Sequence, residues 1–289
     1  MKDAIASLQH DSRCLFIIGP TATGKTALGI KLAKKFDGEI ISADSRQVYK
    51  GMDIGTGKDL TYPQWGIDLC EPDHEFNVSE FRKYALNAIV NIQKRNKLPI
   101  IVGGTGFYVK AILNPWETMD VKPNIKLREK LDKFSVLELQ EELIKVNKNK
   151  WDLMNESDRM NPRRLVRAIE LAKQGSDPCK DKGPTLKDVL IIGLTAPYEF
   201  LYKRIDQRIE ERIKNGMNEE RERLIKKYKK LPKTLWGSGE HNYARRQMSF
   251  FRNLGKIYKI NWIDISTQDI FAEAIKLVAH WETRKPDSV

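Results

Sequence analysis

Residues 14–36, "CLFIIGPTATGKTALGIKLAKKF", leave the chain few folds to choose from. A continuous apolar run enters a turn holding two glycines and emerges as a helical pattern. A buried strand must therefore hand over directly to a helix N-terminus. The spacing Gly19-x4-Gly24-Lys25-Thr26 is that of a phosphate-binding loop in the context such a loop requires. Gly19, Pro20, Thr21, Ala22, Thr23 and Gly24 would wrap one anionic site with backbone N–H groups and a helix N-terminus. Lys25 would add a point charge, and Thr26 a hydroxyl for Mg²⁺.

Four more short apolar runs follow: "GEIISA", "LPIIVGG", "DVLIIGL" and "INWIDIS". Helical stretches separate them, at Lys25 to Phe36, Val78 to Asn96 and Pro197 to about Tyr228. Continuous apolar strands between helices predict an α/β fold, a P-loop NTPase-like parallel sheet with helices on both faces. The third and fourth runs lie too far apart for one crossover helix. The Leu-, Lys- and Glu-rich segment between them predicts a helical insertion, with a turn-rich return at 175–185. The expected organisation is a first part of the core over 1–118, the insertion over 119–186, and completion of the core with basic helices over 187–289.

The net charge is +12, and its distribution matters more than its size. Residues 198–260 hold 17 Lys and Arg against 8 Asp and Glu. Solvated i,i+4 ion pairs account for "RIDQRIEERIKNG". They do not account for "KKYKK" or "YARRQMSFFRN", which contain no acid, so a polyanion partner is expected. No apolar run is long enough for a membrane helix, and the N-terminal residues hold no export signal, so a cytoplasmic protein is expected. Cys14, Cys70 and Cys179 show no metal-binding or redox spacing and read as free thiols.

Two further stretches carry chemistry. "IIVGG" ends in "GGTGFY" where an ordinary P-loop NTPase places a metal-binding acid. Gly103, Gly104 and Thr105 offer close backbone approach and one hydroxyl, which suits phosphate oxygens; alone, they could be a tight turn. In "ISADSRQVYKGMDIGTGK", Asp44 follows the second strand, ahead of Ser45, Arg46 and Gln47. The residues alone leave two readings of Asp44 open: an active-site carboxylate beside the phosphates, or the cap of a helical turn.

Together with "NPRRLVRAIE", "LYKRIDQRIEERIKNG" and "YARRQMSFFR", these motifs occur in the order of the tRNA dimethylallyltransferase (tRNA isopentenyltransferase) family, which the chain resembles over residues 16–252. The resemblance implies transfer of a dimethylallyl group from dimethylallyl diphosphate to N6 of an adenosine at position 37 of the tRNA anticodon loop, by a monomer using Mg²⁺. It implies that Asp44 accepts the amine proton while Thr105 and Arg208 stabilise the diphosphate. It places Asp44, Ser45, Arg46, Gln47, Lys126, Arg163, Arg164, Leu165, Val166 and Arg167 at the tRNA. One departure is a shortened segment, "LPKTLWGSGEHNYARRQ", where the family carries a further helical stretch. The alternatives are an adenylate isopentenyltransferase acting on free nucleotides and, further off, a small-molecule kinase. The basic second half argues against the first, and the missing metal-binding acid against the second.

Overall fold

The computed structural model describes residues 13–175, 186, 188–232 and 239–283. Cys179, nearly all of the turn-rich return, and residues 233–238 of the shortened segment lie outside them. By compactness the chain divides into two units, Met1–Leu113 with Pro184–Val289, and Asn114–Gly183.

The first unit is built on six parallel strands: β1 (Cys14–Ile18), β2 (Gly38–Ser42), β3 (Gln64–Trp65), β4 (Leu98–Gly103), β5 (Val189–Thr195) and β6 (Asn261–Asp264). Their order is β3-β2-β4-β1-β5-β6. Every strand the sequence predicts is present. The two-residue edge strand β3 escapes prediction because it is too short to show a periodicity. Helices α1 (Lys25–Lys35), α2 (Val78–Gln93) and α3 (Gly106–Leu113) follow β1, β3 and β4. Alternate residues of β1 feed opposite layers, as the pleat demands. Phe16 and Ile18 pack with Phe81, Ile89 and Phe251 on one face. Leu15 and Ile17 pack with Leu28, Leu32, Val278 and Trp281 on the other. Burial on both faces is why these strands read as unbroken apolar runs.

The second unit holds α4 (Ile125–Leu131), α5 (Val136–Val146), α6 (Lys148–Leu153), α7 (Glu156–Arg159) and α8 (Pro162–Lys173), around Leu131, Leu139, Leu143, Leu165 and Ile169. Back in the first unit, the helix expected from Pro197 to Tyr228 is two: α9 (Tyr198–Lys214) and α10 (Met217–Lys227). Gly216 separates them at φ 97°, a left-handed conformation that ends one helix and caps the next. Two helices complete the first unit, α11 (Glu240–Leu254) and α12 (Ile270–Thr283). Cys14 is buried and Cys70 half-buried, and both are free thiols.

Candidate active site

The β1–α1 loop sits at the carboxyl edge of the sheet, between β4 and β5, where the strand order switches and α/β folds place ligands. Its conformation needs its glycines. Gly24 lies at φ 83°, and a Cβ on Gly19 would run into the Leu194 carbonyl. Ala22 accepts the left-handed region at φ 64° and is nevertheless buried. Thr23 is buried, its hydroxyl donating to Pro20 O at 2.9 Å. The Lys25 ammonium donates to the same carbonyl at 2.6 Å. Burial first, then Arg208, lower the Lys25 pKa to about 7. Lys25, Thr26 and Thr21 line a polar cleft together with Asp44, Arg208 and Gly103.

The Asp44 carboxylate caps the turn and also faces the cleft. Oδ1 accepts from Arg46 N at 2.9 Å, making the turn cap, while the group lines the cleft and its second oxygen takes no donor among the described residues. Ser42 Oγ donates to Gln47 Oε1 at 2.8 Å and pins the far side of the same turn. Thr105 spends its hydroxyl here as well. It accepts from Ser45 N at 3.0 Å and lies 3.2 Å from Ser45 Oγ. The structure thus sets Thr105 against the Asp44 turn.

The glycines of "GGTG" serve protein contacts. A Cβ on Gly103 would strike the Ala43 carbonyl, and one on Gly104 the Gln247 amide. Gln247 is a residue that sequence reasoning missed. It is buried, its Oε1 accepts from Thr21 N at 2.8 Å, and its Nε2 donates to Gly104 O at 2.9 Å. One side chain therefore ties the phosphate-type loop to the "GGTG" turn. Glu240, Tyr243 and Gln247 all line the cleft. Their spacing of three and four puts them on one face of α11, a signal that was available in "EHNYARRQ". Burial and then Asp44 push the Tyr243 hydroxyl up to about 12, so it is protonated at neutral pH.

Helix α9 closes the other side. Arg204 Nε donates to Ala22 O at 2.8 Å, and Arg208 Nη1 lies 3.5 Å from Thr21 Oγ1. Arg212, also missed, reaches the cleft one turn further on. The adjoining loop is held by Glu220 of α10, buried, which accepts from Asp53 N, Ile54 N and Gly55 N at 2.8–2.9 Å. The Lys58 side chain is fully buried and donates to Asp53 and Asp68 at 2.7 and 2.6 Å.

Several residues expected at RNA are engaged elsewhere. Arg46 pairs with Glu240 at 2.5 Å and stacks over Tyr243. In the second unit, Leu165 and Val166 face the helical core, so their side chains cannot reach a polyanion. Arg167 points inward, with Nη2 donating to Thr118 O at 2.8 Å and Nη1 bonding Glu170. Burial alone would raise the Glu170 pKa, but bonds from Arg128 and Arg167 hold it below the usual carboxylate value. Lys126, Arg163 and Arg164 are exposed, Arg164 beside Asp158.

The model of the IPP transferase family matches residues 47–239, and that of isopentenyl transferases residues 12–63. A tRNA dimethylallyltransferase 1 from Geotalea daltonii is 38% identical, with 93% of this chain and 96% of that protein covered. The crystal structure of a tRNA isopentenylpyrophosphate transferase from Bacillus halodurans is 28% identical, with a TM-score of 0.66 over 93% of this chain and 96% of that one. A eukaryotic dimethylallyltransferase, solved acting on tRNA, shares the fold at a TM-score of 0.79, with 24% identity over 96% of this chain and 81% of that one. With the family model spanning most of the chain and relatives aligned over nearly their whole length, this chain belongs to the IPP transferase family.

Proposed function

We propose that the chain transfers a dimethylallyl group from dimethylallyl diphosphate to N6 of an adenosine, position 37, in the tRNA anticodon loop. The observation that carries this reading is the juxtaposition in one cleft of a phosphate-type loop and a carboxylate with an unengaged oxygen. The names of the relatives supply the acceptor and the group transferred.

The adenine leaves its stack to enter the cleft. As N6 attacks the allylic carbon, the carbon–oxygen bond to the diphosphate breaks and its electron pair stays on the diphosphate. Loop N–H groups, Lys25 and Arg208 meet the charge that grows there. The N6 proton passes to the free oxygen of Asp44. Thr105 and Gln47 hold the turn that aims it. Among the described residues no three His, Cys, Asp or Glu side chains gather as a resident metal site. The Thr26 hydroxyl would hold a Mg²⁺ bound to the diphosphate, since one neutral hydroxyl suits an ion that shares its ligands with a phosphate group. When bound, that ion would neutralise charge on the leaving group.

Asp44→Ala tests the reading. Transfer from labelled dimethylallyl diphosphate to tRNA should fall ~10²–10⁴-fold, while binding of inorganic diphosphate persists. Retention of about a third or more of the wild-type rate would leave Asp44 as a cap only.

A further inference from the structure

Arg212 lies four residues beyond Arg208 on α9, so both side chains leave the same helix face. Both line the cleft with Lys25 and Arg46. Glu240 neutralises Arg46. Arg212 reaches only backbone carbonyls, Gly55 O at 3.3 Å and Thr56 O at 3.5 Å, and among the described residues it forms no ion pair. The two guanidinium groups converge. A Cβ on Gly57 would stand 3.0 Å from Arg208 Nη2 and closer still to Arg212 Nη2. Gly57 also sits at φ 63°. Burial, then Arg208, push the Arg212 pKa down to about 10, which leaves it charged at neutral pH.

Three guanidinium groups, Arg46, Arg208 and Arg212, together with Lys25, which is only partly protonated at neutral pH, thus face two carboxylates, Asp44 and Glu240. Like charges held side by side in a half-buried site repel one another. An anion carrying two or more charges relieves that repulsion, and two adjacent guanidinium forks suit oxygens on neighbouring phosphorus atoms. A diphosphate has that shape and charge; a neutral nucleobase has neither.

We propose that Arg212 is a diphosphate-binding residue which, with Arg208, grips the non-bridging oxygens of the donor held by the Lys25 loop, and that Gly57 is glycine so that both groups can enter. The inference rests on the function proposed above and extends it to a residue to which that reading gives no role.

The test is calorimetric binding of inorganic diphosphate to the whole chain as wild type, Arg212→Gln, Arg212→Lys and Gly57→Ala, with tRNA binding and thermal melting measured in parallel. Arg212→Gln should weaken diphosphate binding roughly 10- to 100-fold, the effect of one lost charged hydrogen-bonding group. Arg212→Lys should recover part of the loss, because it restores charge without the fork. Gly57→Ala should reproduce the loss with Arg212 intact. Affinity for tRNA should stay within about twofold throughout. Diphosphate binding by Arg212→Gln within about twofold of wild type overturns the assignment, and so does a loss that falls on tRNA instead. A wild-type chain that binds no diphosphate overturns the proposed function and this inference together. A wild type that binds and transfers normally beside an unaffected Arg212→Gln overturns this inference alone.

Discussion

Lys25 shows how far a motif can be read and where reading stops. The spacing Gly19-x4-Gly24-Lys25 places its ammonium in an anion site, but only packing determines its titration. Burial and the neighbouring Arg208 lower its pKa to about 7, so above that pH the free protein holds a neutral amine. A bound diphosphate favours the ammonium, so binding takes up a proton there. Donor affinity should therefore fall as pH rises above 7, by up to about tenfold per unit, and Lys25→Gln should flatten the profile. Isothermal titration at pH 6.5, 7.5 and 8.5 checks this, and a wild-type profile as flat as that of the variant would contradict it. Asp44 was equally divided at the level of sequence, because capping a turn and facing a ligand both call for a short carboxylate after a strand. In the structure one oxygen caps the turn, and the other, on a group that lines the cleft, takes no donor among the described residues.

At the scale of elements, the strands and the phosphate-type loop were legible because burial on both faces leaves continuous apolar runs, and glycines mark the loop. The break between α9 and α10 was signalled by Asn215-Gly216, yet the charged helical pattern runs on through it. That break lets α10 turn Glu220 onto the loop at residues 53–55. No local pattern announces the contact, since its partners are 165–167 positions apart. Glu220→Ala leaves three N–H groups without an acceptor, that of Gly55 buried at roughly 1–3 kcal/mol and those of Asp53 and Ile54 half-buried at less. It should lower the melting temperature by several degrees and weaken donor binding, because the loop it holds carries Gly57 and receives Arg212. Unchanged melting and unchanged donor affinity in that variant would show the carboxylate to be idle. Gln247 and Tyr243 were missed for a related reason. Their motif stood out as basic and aromatic, while its buried face, spaced by three and four, carries the contacts.

Over the whole molecule, the positive surplus remains the clearest statement about a partner. The second unit refines which cations can serve one. Leu165 and Val166 build its core, and Arg167 is bound to Glu170 and two carbonyls, which leaves Lys126, Arg163 and Arg164 at its surface. Arg163→Ala with Arg164→Ala should weaken tRNA binding and reduce the slope of log affinity against log salt by roughly 0.7–0.9 per lost phosphate contact. Arg167→Ala, in contrast, should mainly destabilise the unit, because it removes a partner of buried Glu170. An Arg163 and Arg164 double variant with the wild-type salt slope would place the RNA elsewhere. The central claim is the acceptor, and its most direct measurement is product identity. Wild-type chain is incubated with labelled dimethylallyl diphosphate and, in separate reactions, tRNA or AMP, and the nucleosides are then resolved by mass spectrometry. The account predicts N6-dimethylallyladenosine from tRNA alone, formed more slowly as salt rises. Label appearing on AMP at a comparable, salt-independent rate would contradict it.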